Sequence, residues 1–222
     1  MHSTTYGTGE LIIEALEAGC THIIMGIGGS ATNNAGAGML QALGYRLLDA
    51  SGNDLPKGGA ALSELDRIDA SHRHPLLNSA TFEVACDVDN PLCGVRGASA
   101  VYGPQKGATP YMVSRLDEAL EHFALIIKTY NGKDILNVPG AGAAGGIGAG
   151  LMAFLDAKLN KGVEIVIRSS GLEKFIAQAD LVITGEGKID EQTQYGKTPF
   201  GVSQLALRYE VPCIGICGML GK

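Results

Sequence analysis

The chain has 222 residues, 45% hydrophobic and 18% charged, with a net charge of −6 at pH 7. These totals fit a soluble globular protein of one large domain or two small ones. With no basic run they exclude an extended nucleic-acid surface, and no apolar run approaches the ~20 residues that cross a bilayer.

Thirty-two glycines are about twice the usual ~7% share, and they fall in a few loops, which points to tight backbone geometry. The five cysteines, Cys20, Cys86, Cys93, Cys213 and Cys217, show no CxxC spacing. They are expected as buried reduced thiols of a cytoplasmic protein. The histidines make no HExxH pair and read as surface residues. The start does not resemble a signal peptide.

In chain order, the opening MHSTTYG reads as loose. The spacing of Leu11, Ile12, Ala15 and Leu16 predicts a helix from about Glu10 to Ala18. A packed helix so near the start, without a strand before it, makes the chain look cut from something longer. Ile23 to Ile27 is a short buried strand that runs into the small residues Gly28 to Gly38, then into a helix around Met39 to Leu43. Hydroxyl and small residues directly after a strand leave backbone N–H groups open to cradle a phosphate or carboxylate at a helix N-terminus. Gly26 to Ala31 also matches GxGxxA, and Gly140 to Gly145 matches GxGxxG. Such patterns arise readily in glycine-rich tracts, and close packing through small residues explains both equally well.

Tyr45 to Ala50, the turn Ser51-Gly52-Asn53 and a small segment to Asp69 predict strand, turn and short helix. Phe82 to Cys86 predicts a strand ending in Asp87-Val88-Asp89-Asn90-Pro91. An aspartate at a strand's carboxyl end suits a catalytic base or magnesium ligand; a turn explains Asp89 and Asn90 but Asp87 less well. Tyr102 to Gly107 is a rigid turn presenting Lys106, which alone would be a surface lysine.

Thr109 and Pro110 open a helix with Val113, Leu116, Leu120, Phe123 and Ile127 on one face, stopped by Asn131-Gly132. A second helix occupies 145–160. Val163 to Ile167 alternates as a strand, and Ser170 to Glu173 reads as a capping box for a helix bearing Phe175 and Ile176. Leu181-Val182-Ile183 is a buried strand that stops at Thr184. A polar loop to Pro199 then gathers Lys188, Asp190, Glu191 and Lys197. Thr198-Pro199 start a helix, and 212–217 is a strand parallel to the first. The domain junction is expected near residue 170.

A P-loop at Gly196-Lys197-Thr198 fails, because Glu191 stands where that motif needs glycine. A nucleotide-dependent oxidoreductase would leave the charges of 185–197 unexplained. Phosphoryl transfer uses them: it needs a backbone cradle, cations, a magnesium ligand and a carboxylate. Gly28 to Asn33 supply the cradle in this reading. Lys106, Lys188 and Lys197 supply cations, and Asp87, Asp190 and Glu186 supply carboxylates.

Four blocks, GIGGSATN…GAGMLQALG, VACDVDNPL…GASAVYGPQKGA, VPGAGAAGGIGAGLMAFL and ADLVITGEGKID…GKTPFGV, in this order and spacing, resemble the bacterial glycerate kinase family, which phosphorylates D-glycerate at the 2-position with ATP. The resemblance implies an α/β fold of two domains: most of an inserted α/β domain, residues 1–170, plus part of a Rossmann-like parallel-sheet domain, 171–222. It also implies ATP, Mg2+, D-glycerate and a cytoplasmic location, without nucleic acid or membrane. Two departures stand out: both ends of the family's chain are missing, and Asn34 replaces a usual aspartate, so no acid–base role belongs there.

On this reading Asp190 is a magnesium ligand or general base, Lys197 stabilises transition-state charge, and Asp87 is a second catalytic or metal carboxylate. Gly28, Gly29, Ser30, Thr32, Asn33 and Lys106 bind glycerate or phosphate, as do Gly185, Glu186, Gly187 and Lys188. The competing expectation is a fragment that binds ligand without turnover. The exposed edge of an incomplete sheet is further expected to pair two copies as a homodimer.

Overall fold

The computed structural model describes residues 1–190 and 198–221. They form two compact units, Met1–Leu159 and Asn160–Lys222. The division falls before the junction expected near residue 170, because the segment after 160 joins the second core: Ile167 packs with Ile176, Val182 and Val202.

In the first unit, strands β1 (His22–Gly26), β4 (Thr81–Ala85) and β5 (Lys158–Asn160) make a three-stranded sheet in the order β1-β4-β5. β1 and β4 are parallel, with His22 opposite Thr81 and Gly26 opposite Ala85. Their carboxyl ends therefore lie side by side. A two-stranded antiparallel sheet, β2 (Arg46–Leu48) with β3 (Arg67–Asp69), flanks them.

Helix α1 spans Tyr6–Glu17, so it begins earlier than the sequence suggests. The opening residues are anchored instead of loose. Thr5 is buried, its hydroxyl accepting from the Met39 backbone N–H at 2.9 Å and from the Asn34 amide at 3.3 Å. Burying a polar side chain is tolerable only when its hydrogen bonds are made, and Asn34, fully buried, also accepts from the Gly36 N–H. Helix α2 (Ala37–Ala42) thus has its first turn stoppered by Thr5.

Helix α4 (Pro110–Asn131) follows its sequence pattern. Thr109 accepts from the Met112 N–H at 3.3 Å, and Gly132 ends the helix at φ +78. Leu116, Leu120, Phe123 and Ile127 are buried, each worth about 1.5–3 kcal/mol of transfer free energy. Phe123 lies near-parallel to Phe154, and Tyr45 meets Phe154 edge-on at 5.2 Å.

Phe154 comes from α5 (Ala143–Leu155), whose first residues, Ala144, Gly145 and Gly146, have positive φ. A Cβ at Gly145 would lie 1.9 Å from the Thr32 carbonyl oxygen, and one at Gly150 2.3 Å from that of Ala35. The Ala35 N–H donates to the Gly145 carbonyl at 3.0 Å. The glycines at 145, 146 and 150 pack backbone against backbone on residues 32–36, as small residues allow, whereas Gly26, Gly28 and Gly29 of the first tract meet nothing within 4 Å.

The second unit contains α6 (Gly162–Ser170), α7 (Leu172–Ile176), β6 (Val182–Ile189), α8 (Thr198–Arg208) and β7 (Cys213–Leu220). The strand expected at 163–167 is helical. Its β-branched alternation is overridden by packing, since Gly201 of α8 lets Val163 approach to where a Cβ would stand 2.5 Å away. Ser170 is no cap: its hydroxyl donates back to the Val166 carbonyl inside α6. Strand β6 also continues through Thr184 to Lys188, where a loop was expected. Those residues pair in parallel with β7, Glu186 opposite Cys217 and Lys188 opposite Met219. Gly185 permits this extension because Ile216 O lies 2.4 Å from where its Cβ would be.

Two smaller expectations also change. Cys20 is exposed and the other four cysteines are half-buried. His122 is half-buried, its Nε2 donating to the Leu65 carbonyl at 2.6 Å.

Candidate functional site

In a parallel sheet, loops leaving the carboxyl ends of neighbouring strands diverge and leave a crevice. β1 and β4 do this in the first unit. The crevice is a cavity of about 240 Å³, walled by Ile27 to Ser30 after β1 and by Ala85 to Val88 after β4. Tyr102 and Lys106 close one side, and Ala143 and Ala144 another.

Lys106 sits on a 3-10 turn (Pro104–Lys106) after α3 (Ala98–Tyr102). It is half-buried, not a surface lysine. Its ammonium donates to the Ser30 hydroxyl at 2.8 Å and to the Thr32 carbonyl at 2.7 Å. Burial disfavours its charged form and lowers its pKa from the ordinary lysine value. The ring of Tyr102 lies 5.9 Å from the same nitrogen.

Gly28 and Gly29 face open space, with nothing within 4 Å of a built Cβ. Their backbone is therefore accessible to a small anion. The expected helix N-terminus is not: α2 starts at Ala37 and is stoppered by Thr5. Any cradle here is the loop itself together with Lys106.

The expected residues divide in three ways. Gly28, Gly29, Ser30, Asp87 and Lys106 meet around this one cavity. Thr32 and Asn33 lie behind the loop, 9% and 8% exposed, so only the Thr32 carbonyl reaches Lys106. Asn33 donates to Ser99 at 2.8 Å. Thr32 Oγ1 and Asn33 Oδ1 are buried without a hydrogen-bond partner among the described residues.

Gly185, Glu186, Gly187, Lys188 and Asp190 belong to the second unit. Lys188 pairs with Asp190 at 3.0 Å. Asp190 lines a separate cavity of about 260 Å³ with Thr184, Phe200 and Ser203. Lys197, Glu191 and Gly196 lie outside the described residues. No group of three or more potential metal-ligating side chains occurs among the described residues. Magnesium held through substrate phosphates needs only one or two carboxylates, and Asp87 at one cavity or Asp190 at the other fits that smaller demand.

Sequence reading passed over Tyr102, Cys86 and Ala144 as cavity residues. The usable signal was topological: residues just past the ends of two strands that prove to be neighbours. Cys86 donates to the Val88 carbonyl at 3.3 Å, and burial raises its thiol pKa.

Among the described residues, no helix is long and apolar enough to cross a membrane. The model of the glycerate kinase family matches residues 1–222. A protein named glycerate kinase from Halalkalibacterium halodurans is 57% identical over 99% of this chain and 58% of its own length. One named glycerate 2-kinase from Escherichia coli is 55% identical over 98% of this chain and 57% of its own. A crystal structure of a provisionally named glycerate kinase 2 from Salmonella typhimurium LT2 superposes with a TM-score of 0.92 at 57% identity, covering 98% of this chain and 58% of that one. The chain thus spans somewhat over half the length of the relatives it matches. With a mixed α/β architecture and the family model matched along its whole length, the chain belongs to the glycerate kinase family.

Proposed function

We propose that this polypeptide contributes to the ATP-dependent phosphorylation of D-glycerate to 2-phosphoglycerate, in the cytoplasm, with magnesium. The reading rests on one observation above the others. A half-buried ammonium, Lys106, is held against an open glycine loop at the carboxyl ends of two adjacent parallel strands, in a chain whose relatives are named for glycerate phosphorylation.

Magnesium-bound ATP supplies the phosphoryl group and neutralises part of its charge. The work left to the protein is positioning and electrostatic stabilisation. Lys106 and the Gly28–Gly29 backbone hold an anionic oxygen, and Ser30 fixes the ammonium. Asp87, on the cavity wall, accepts a proton from a hydroxyl or holds the metal. In the second unit, Asp190 is the other candidate for magnesium or base, and Lys188 and Lys197 are cations for phosphate oxygens.

The test is ADP release from Mg-ATP by the 222-residue chain, with and without D-glycerate. Glycerate-dependent release supports the reading. A folded sample that releases no ADP removes turnover from this polypeptide and leaves it as a ligand-binding piece of a larger catalyst.

A further inference from the structure

Resting on the reading above, we infer that the first unit's cavity takes the acceptor acid and not the nucleotide, and that Asn90 is a positioning residue for it, acting through Tyr102. Size and charge together support the first point. Pockets for drug-sized molecules run from ~300 to 1,000 Å³; this one holds about 240 Å³. A nucleoside triphosphate is at least drug-sized, whereas a three-carbon hydroxy acid fits. The charge agrees: the Lys106 ammonium beside open backbone suits the acid's single carboxylate, and Asp87 on the same wall suits its hydroxyl, whereas a triphosphate would set several negative charges against Asp87.

Hydrogen bonding decides the second point. Asn90 follows the Asp87 strand end and looks, in sequence, like a turn former. Its side-chain oxygen accepts from the Tyr102 hydroxyl at 2.6 Å, and its side-chain nitrogen donates to the Arg96 carbonyl at 2.8 Å. Its backbone carbonyl accepts from the Gly142 N–H at 2.9 Å. One residue therefore ties together three segments: the end of α3 with the wall residue Tyr102, the loop to Arg96, and the start of α5 that brings Ala143 and Ala144. Arg96 reinforces the tie with two bonds to the Asp89 carboxylate at 2.9 and 3.1 Å. Tyr102 is a neutral O–H donor at ordinary pH, as phenols are, and burial raises its pKa further. Its ring is then fixed beside Lys106, and the width of the cavity is fixed with it.

The experiment is calorimetric titration of the 222-residue chain with D-glycerate and, separately, with ATP. Parent, Tyr102→Phe and Asn90→Ala are compared, each also melted. The expected result is D-glycerate binding that saturating ATP does not displace, weakened on the order of tenfold in Tyr102→Phe because the ring is no longer held in its binding position. Any ATP affinity of Tyr102→Phe stays close to that of the parent, while its melting midpoint falls by no more than one lost internal hydrogen bond accounts for. Should Asn90→Ala fail to fold, Tyr102→Phe, which keeps the ring, carries the test alone. Displacement of D-glycerate by ATP, a parent that does not bind D-glycerate, or a Tyr102→Phe variant that binds like the parent each overturns the inference. Glycerate-dependent ADP release is a separate readout. It can succeed while ATP displaces D-glycerate or Tyr102→Phe binds like the parent, and it can fail while D-glycerate still binds, so failure of the inference and failure of turnover are told apart.

Discussion

Lys106 donates to the Ser30 hydroxyl across 2.8 Å, a bond that joins residues 76 positions apart. It ties the turn after α3 to the loop after β1, and it spends two of three ammonium donors inside the protein. One donor is left for a ligand. Lys106→Met keeps the stem and removes the charge. It is expected to weaken D-glycerate binding by about 10- to 100-fold, the range of a charge-assisted hydrogen bond. Titration calorimetry checks this, and an unchanged affinity would take Lys106 out of the site.

The same lysine sets a pH dependence. Its pKa in the folded chain lies below the ordinary 10.5 because of burial. Below the folded-state value the ammonium is charged in both folded and unfolded chains, and its burial cost is present in full. As pH rises through that value, the folded chain releases the proton first. The unfolded chain then binds more protons, so this group's contribution to stability improves up to about 10.4. Affinity for an anion falls over the same window. Opposite slopes for melting midpoint and D-glycerate affinity are expected in the parent, and neither slope in Lys106→Met.

Two glycines separate backbone strain from crowding. Gly132 has φ +78 and open space around a built Cβ; Gly145 has φ +73 and the Thr32 carbonyl at 1.9 Å. Gly132→Ala is expected to cost about 1 kcal/mol. Gly145→Ala adds a backbone collision that no rotamer relieves, and is expected to cost more than ~3 kcal/mol. Denaturant titration compares them.

These glycines also mark where sequence reading stops. Helix α4 was legible because its period and both stop signals agree, and β1 and β4 because they are short apolar runs ending in polar loops. The strand assigned to Val163–Ile167 failed because five alternating residues cannot outweigh the contact that Gly201 opens. The loop assigned after Ile183 failed because glycines that signal a turn also permit a ladder. At the site, Gly28, Ser30, Asp87 and Lys106 were legible as chemistry, but their convergence required knowing that β1 and β4 are adjacent. Thr32 and Asn33 read as ligand contacts from their polarity, while tertiary packing buries both side chains.

Thiol reactivity should follow environment. Burial, with Asp117 and Glu121 nearby, pushes the Cys93 thiol up to about 12, so almost no thiolate exists at pH 8. Exposed Cys20 is expected to take up iodoacetamide well before Cys93, as read by peptide mass spectrometry. Equal rates would mean that the Cys93 pocket opens.

Asp190 lies 3.0 Å from Lys188 in the second unit. Asp190→Asn keeps the shape and removes the charge. If the aspartate is the base, kcat for glycerate-dependent ADP release falls by roughly 10²-fold or more. An unchanged kcat returns the assignment to Asp87.

The contact between residues 32–36 and the glycines at 145–150 has a kinetic consequence. The Ala35 N–H donates to the Gly145 carbonyl, and Thr32, which holds Lys106, is packed on that same residue. Closing so large a loop is slow relative to forming helices or hairpins. During synthesis α1, α4 and the β2–β3 pair can form while the Lys106 cavity cannot. The site is therefore among the last parts of the first unit to be assembled, and binding competence should lag behind helix formation in refolding.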